Sequence, residues 1–175
     1  MRQLKNIHGG HTGLTLMELM VVIAILAIMA GMSMSALSEY IPDYRLNAAV
    51  RTLVADLHKA KTEAIKVNKY VTVVFDTDES SPSGGIGSYV AFIDNGAGGG
   101  NSDNHEQDGD ELILMKNYIP KNVVMSSETS YNYVIFDQYG LPNTQGNIIL
   151  RNIENEKIKI TINETGYIDI KNKYE

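Results

Sequence analysis

The chain contains no cysteine, which excludes a disulfide framework, a thiolate-held zinc ion and a cysteine nucleophile. It also lacks a Gly-x-Ser-x-Gly elbow and a His-Glu-x-x-His pair, and its four histidines are scattered, His8 and His11 near the start. No catalytic constellation is left, so the residues point away from an enzyme. A more telling lack is local. Between Leu14 and Tyr44 there is no Lys, Arg or His, and from Leu19 to Leu37 there is no charged side chain of either sign. At 1.5 Å of rise per residue, about 20 apolar helical residues cross a hydrocarbon layer roughly 30 Å thick, so this stretch predicts a membrane-spanning helix. Glu18 lies inside the apolar block. An ionised carboxylate there costs on the order of 3 kcal/mol and asks for a partner.

The partner cannot come from a segment without cations. Either another subunit supplies the positive charge, or a new amino terminus does. A cut between Gly13 and Leu14 would place an α-amino group, cationic or nearly so at neutral pH, four residues from Glu18 on one helix face. A short basic leader ending in Gly, a cut before an apolar residue and Glu at the fifth position after it resemble the class III signal of type IV prepilins and type II secretion pseudopilins. Gly13, Leu14, Thr15, Leu16, Glu18 and Leu19 carry the resemblance, with Leu14 in place of the commoner Phe. The resemblance implies removal of residues 1–13 by a prepilin peptidase and N-methylation of Leu14. It also implies pairing of Glu18 with a neighbouring subunit's terminus during assembly. An ordinary secretory signal would instead be cut among the small residues of Ala24 to Ala36. The length of the apolar block and the buried acid favour the prepilin-like signal.

Fifteen Lys plus Arg against twenty-one Asp plus Glu give a net charge of −6, and loss of Arg2 and Lys5 with the leader takes it to −8. That acidity argues against a nucleic-acid binder. Arg2 and Lys5 just before the span keep the amino terminus cytoplasmic and send the remainder to the periplasm. The expected organisation is a leader, 1–13, a membrane and filament-core helix, 14–43, and a periplasmic head, 44–175.

Pro42 is expected to interrupt the helix, with Gly31 as the other candidate for a bend. From Tyr44 to about Asn68, Leu46, Ala49, Val50, Leu53, Leu57, Ala60, Ala64 and Val67 recur at spacings of three and four. That is one apolar helix face, and His58 is placed off it, in solvent. The string Leu53-x-x-x-Leu57-x-x-Ala60-Lys61-x-Glu63-Ala64-Ile65, followed by Val71-Thr72-Val73, resembles the GspH/FimT branch of minor pilins and pseudopilins. Family members often carry Arg at the position of Lys61. Later landmarks are Phe92-Ile93-Asp94, Phe136-x-x-x-Gly140 and Ile160-Thr161-Ile162 leading to Gly166.

Eight strands are predicted beyond Tyr70, near 70–76, 88–94, 111–117, 122–126, 131–136, 147–150, 157–162 and 167–170. Clean alternation, as in Ile158, Ile160 and Ile162, points to antiparallel pairing with one face buried. The expected fold class is α+β, a long pilin-like amino-terminal hydrophobic helix packed on an antiparallel sheet head.

Two weaker sites remain. The loop from Asp94 to Glu111 is rich in carboxylates, and Asp94, Asp103, Asp108 and Asp110 are candidate ligands for calcium, a hard cation served by oxygen. Its spacing misses the EF-hand, and Gly98-Gly99-Gly100 suggests a mobile, solvated connection, so no cofactor is expected. Some FimT-like minor pilins take up DNA through basic residues after the last hairpin glycine. Here that glycine is Gly166, with Tyr167 and Asp169 where Arg would be wanted, and only Lys171 and Lys173 remain as phosphate contacts. Taken together, the residues and the resemblance imply a non-enzymatic minor pilin or pseudopilin. It would prime or cap a filament, with other pilins, the prepilin peptidase and the inner membrane as partners.

Overall fold

The computed structural model describes residues 15–172 except 102, 103, 105, 131 and 145, with backbone alone for 33–39 and 172. Its first element, α1, is a 52-residue helix, Leu16–Val67. It starts where Thr15 Oγ1 accepts the Glu18 amide at 3.2 Å, an N-cap bond. It stops where Asn68 adopts a left-handed φ of 53° and the Lys69 amide reaches back to the Ala64 carbonyl at 3.3 Å. That backward bond is the usual way for a left-handed residue to satisfy the last helical carbonyls. The fold divides into two compact units between Glu39 and Tyr40.

In the first unit every described helical side chain is exposed, Leu16 and Met17 at 76%. Among the described residues no helix is long and apolar enough to cross a membrane. The described side chains of the apolar stretch end at Met32, so the predicted span to Leu37 extends past them.

In the second unit α1 lays Leu46, Ala49, Val50, Leu53, Leu57, Ala60 and Ala64 into the core, the last four fully buried. Val67 packs against the edge of the same cluster. Each fully buried leucine contributes about 2 kcal/mol, while Ala60 and Ala64 bring the helix backbone close to the strands. His58 is exposed, as its register predicts. Pro42 corrects the expected interruption: it sits inside α1, is buried, and the helix continues through it. Proline removes one backbone donor, and the buried ring is followed by a helix face, from Leu46 on, packed into the core, which offsets that loss.

The strands are β1 (Val71–Ser80), β2 (Ile86–Ile93), β3 (Ile113–Tyr118), β4 (Val123–Met125), β5 (Tyr133–Phe136), β6 (Gly146–Asn152), β7 (Lys157–Ile162) and β8 (Ile168–Asn172). They run in the order β5-β1-β2-β4-β6-β7-β8, with β3 also on β2. All pairs are antiparallel except one. β4 joins β2 in parallel through the single register pair Ile86↔Val124, beyond the part of β2 that β3 occupies, so the two antiparallel halves of one eight-stranded sheet join there. β1 also runs past its predicted end at Asp76 to Ser80, through an irregularity in its pairing with β2. Val71, Val73 and Phe75 on β1, Tyr89, Ala91 and Ile93 on β2, and Ile158, Ile160 and Ile162 on β7 all point into the helix-side core. The opposite face is covered in part: Thr72, Phe92 and Ile135, neighbours across β1, β2 and β5, are buried outside that cluster.

Candidate functional site

Glu18 stands at the third position of α1, exposed, in a helical stretch whose other described members are apolar. With Thr15 it makes the first half of a Thr-x-x-Glu capping box, a signal the sequence carried and the charge argument passed over. The cap uses the Glu18 amide, which leaves the carboxylate available to a partner near the positive end of the helix dipole. Gly13 and Leu14, the predicted cleavage and methylation positions, lie outside the described residues.

The loop between β2 and β3 is organised by a residue that the cation argument did not select. Glu111, 4% exposed, accepts the Asn95 and Gly96 amides on Oε1 at 2.9 and 2.8 Å and the Asp108 amide on Oε2 at 3.2 Å. Asp108 in turn accepts the Asn101 amide and the Asn104 side-chain amide on Oδ2. Asp94 is buried and accepts the Thr72 hydroxyl at 3.5 Å, while Asp110 is exposed and Asp103 is outside the described residues. Among the described residues no group of three or more His, Asp or Glu side chains is placed to hold a metal ion. Ala97–Gly99 form a short 3-10 turn with Gly100 extended after it, and the Asp110 amide donates to the Ala97 carbonyl. Gly98, at φ 72°, lies so close to the Asp110 backbone that a Cβ would collide with it. Carboxylates that accept backbone N–H groups in this way help to hold a turn.

Three separate family landmarks of the sequence meet at one joint. Lys61 of α1 donates to the Gly166 carbonyl at 2.9 Å. A Cβ on Gly166 would stand 2.7 Å from the Gly140 carbonyl, and one on Gly140 would stand 2.8 Å from Ile65 of the helix. Both glycines have positive φ, 76° and 70°, which closes the turns before Leu141 and Tyr167. Their spacing in sequence reflects the junction of one helix with two turns.

A second helix-to-sheet contact gave no sequence signal. Asp56 Oδ2 accepts the Tyr89 hydroxyl at 2.6 Å and the Asn117 side-chain amide at 2.7 Å, tying α1 to β2 and β3. Burial, and then the hydrogen bond to Asp56, push the Tyr89 phenol above its ordinary value. On the rim, the Ser88 hydroxyl donates to Glu79 and holds that carboxyl below its usual range, with Lys116 3.4 Å away on the other oxygen. Lys171 is exposed on β8, beside half-buried Asp169 on the same strand face; Lys173 is outside the described residues.

The chain resembles known proteins in two ways. A family model for the prokaryotic N-terminal methylation motif matches residues 10–34, and one described as type II transport protein GspH matches residues 49–166. No curated protein matches it. Among solved structures, the type IV minor pilin FimU of Pseudomonas aeruginosa (strain PAO1) superposes with a TM-score of 0.54 at 13% identity, over 75% of this chain and 92% of that one. The minor pseudopilin EpsH from the type 2 secretion system of Vibrio cholerae gives 0.52 at 12% identity, over 73% and 97%. Identities this low speak to the fold alone, and the fold is the same, a helix on a sheet-built head. With the family match running from the buried face of α1 through the Lys61, Gly140 and Gly166 joint, the chain belongs to the GspH family, the minor pilin and pseudopilin family of type IV pili and type II secretion.

Proposed function

We propose that this chain is a non-enzymatic filament subunit, made as a membrane-held precursor and matured at Gly13–Leu14, that primes or caps a type II secretion pseudopilus or a type IV pilus. The observation that carries the proposal is the methylation motif over residues 10–34, which encloses Gly13, Leu14 and Glu18, ahead of a GspH head. In this reading the leader faces the cytoplasm, the apolar stretch from Leu14 holds the subunit in the inner membrane, and the head is periplasmic. A prepilin peptidase removes residues 1–13 and Leu14 is N-methylated. The Glu18 carboxylate then pairs with the terminal amine of a neighbouring pilin, which lifts its cost in a low-dielectric layer. The proposal assigns no cofactor.

Intact mass and amino-terminal sequence of the membrane-extracted protein, expressed with and without a prepilin peptidase, test the processing route. A peptidase-dependent start at methylated Leu14 is expected; an uncut chain beside an active peptidase, or a cut among Ala24 to Ala36, would sink it. The alternative of a DNA-binding subunit rests on Lys171 and Lys173, and Asp169 beside Lys171 on the same strand face works against that reading.

A further inference from the structure

An aliphatic side chain stands at the tip of a well-held turn, where folding gives no reason for one. Asn152 to Asn155 close the β6–β7 hairpin: the Asn155 amide donates to the Asn152 carbonyl at 3.1 Å, and Asn155 takes a left-handed φ of 66°. Buried Asn152 holds the turn from beneath. Its side-chain oxygen accepts the Glu154 and Glu156 amides at 3.0 and 2.9 Å, and its side-chain amide donates to Asp43 of α1 at 2.9 Å. On this frame Ile153 is 65% exposed, more than any other aliphatic residue described in the second unit, with exposed Glu154 beside it. A β-branched residue is not a turn former, and here its apolar surface is left in water.

The head also carries a hole of matching kind. A pocket of about 250 Å³ opens between α1 and β3, with Ala48, Ala49 and Thr52 on one wall and Tyr118, Ile119 and Pro120 on the other. It is smaller than the roughly 300–1,000 Å³ of small-molecule sites, so it suits a single side chain. The Tyr89 hydroxyl and the Asn117 side-chain amide that reach it are both bonded to Asp56, so they ask nothing of an occupant. Its rim is basic. Arg45 lies three and four residues before Ala48 and Ala49, on the same helix face, and exposed Lys121 follows Pro120. Neither cation enters an ion pair among the described residues.

We propose that this pocket receives Ile153 of a second copy of this chain, with Glu154 of that copy set against Arg45 and Lys121. Charge selects the occupant: an apolar knob followed by an acid meets an apolar hole edged by cations, in a chain whose net charge is −6. The turn is held before contact, so little order is lost on docking. Every copy carries both surfaces, so one kind of contact serves a pair or a row of subunits. The inference is read from the head alone and does not depend on processing at Leu14.

The test is zero-length carbodiimide cross-linking of the full-length protein in detergent, using equal parts of ¹⁵N-labelled and unlabelled chains so that links between copies are distinguished by mass. Register sets Val123 beside Asn152, so a Lys121–Glu154 link within one chain is also open, and the labels separate the two. Links between Lys121 and Glu154 of differently labelled chains are expected. Ile153→Asp removes the knob and Ala48→Phe fills the pocket, and each should lower the yield of those links on the order of tenfold or more, whereas Ile153→Leu should keep it. Ile153 is exposed and Ala48 only half-buried, and an unchanged melting temperature certifies each fold. Links confined to single chains, or links between copies indifferent to Ile153→Asp, would overturn the proposal. So would Lys121 joined to a different filament subunit in native membranes with no link between copies, which would give the pocket to that subunit.

Discussion

Tyr89 is 2% exposed, and its hydroxyl is held by Asp56 from the helix. Its folded pKa is raised from 10.0, first by burial and then by the bond to Asp56. A raised folded pKa means that the stabilisation is complete below the unfolded value and is lost as pH rises above it. Thermal melts between pH 7 and pH 11 should therefore show an alkaline loss of stability beginning near pH 10, and Tyr89→Phe should flatten that limb while costing about 1 kcal/mol at pH 7. An alkaline limb of the same depth in the variant would remove Tyr89 as its source. Gly166 is decided by space as much as by φ: its missing Cβ would meet the Gly140 carbonyl at 2.7 Å and the Lys61 amine at 2.8 Å. Gly166→Ala should cost about 1–3 kcal/mol by urea titration, from strain and from displacing Lys61. Both glycines were visible in the sequence as landmarks because turns punctuate it. Asp56, Tyr89 and Asn117 were not, because they lie 33 and 61 residues apart along the chain and nothing local marks them.

At the scale of elements, α1 was readable because its buried face repeats at helical spacing, so Leu46 through Ala64 could be named before any strand was placed. Pro42 was misread because the rule against proline inside a helix counts one lost bond and omits the packing of the turns that follow, from Leu46 on. The strands were found by alternation, but the parallel β2–β4 junction was not, since one register pair leaves no pattern in the sequence. The acidic loop shows the same limit. Asp94, Asp103, Asp108 and Asp110 were singled out there, while Glu111, which holds three backbone amides, was not. Glu111→Ala leaves those donors without their acceptor and should cost about 1–3 kcal/mol, with faster amide exchange over residues 95–108. Glu111→Gln, which keeps one acceptor oxygen, should lie between the two. Calcium should leave the melting temperature of the wild-type chain unchanged if amides alone hold the loop, and a chelator-sensitive melt would show that a cation shares the task.

At the scale of the whole molecule, the chain joins an α+β head to an apolar helical stretch, exposed where described, that has one acid near its start. Two roles compete for Glu18. As a cap residue it contributes through its amide to Thr15, and through its charge to the helix dipole, worth about 0.3–1 kcal/mol. As an assembly residue its carboxylate offsets a neighbour's terminal amine in a layer where leaving it alone costs about 3 kcal/mol. Glu18→Ala separates them, because alanine keeps the amide and is a good helix former. If capping were the role, the variant would show small losses everywhere, in membrane level and filament incorporation alike. If pairing is the role, its membrane level should match the wild type or exceed it, because a charge has been removed from the apolar block. Its incorporation into filaments, measured against wild-type subunits in the same cells, should drop on the order of tenfold or more. Undiminished incorporation would leave Glu18 as a helix-start residue and would return the question of what aligns one subunit with the next to the heads.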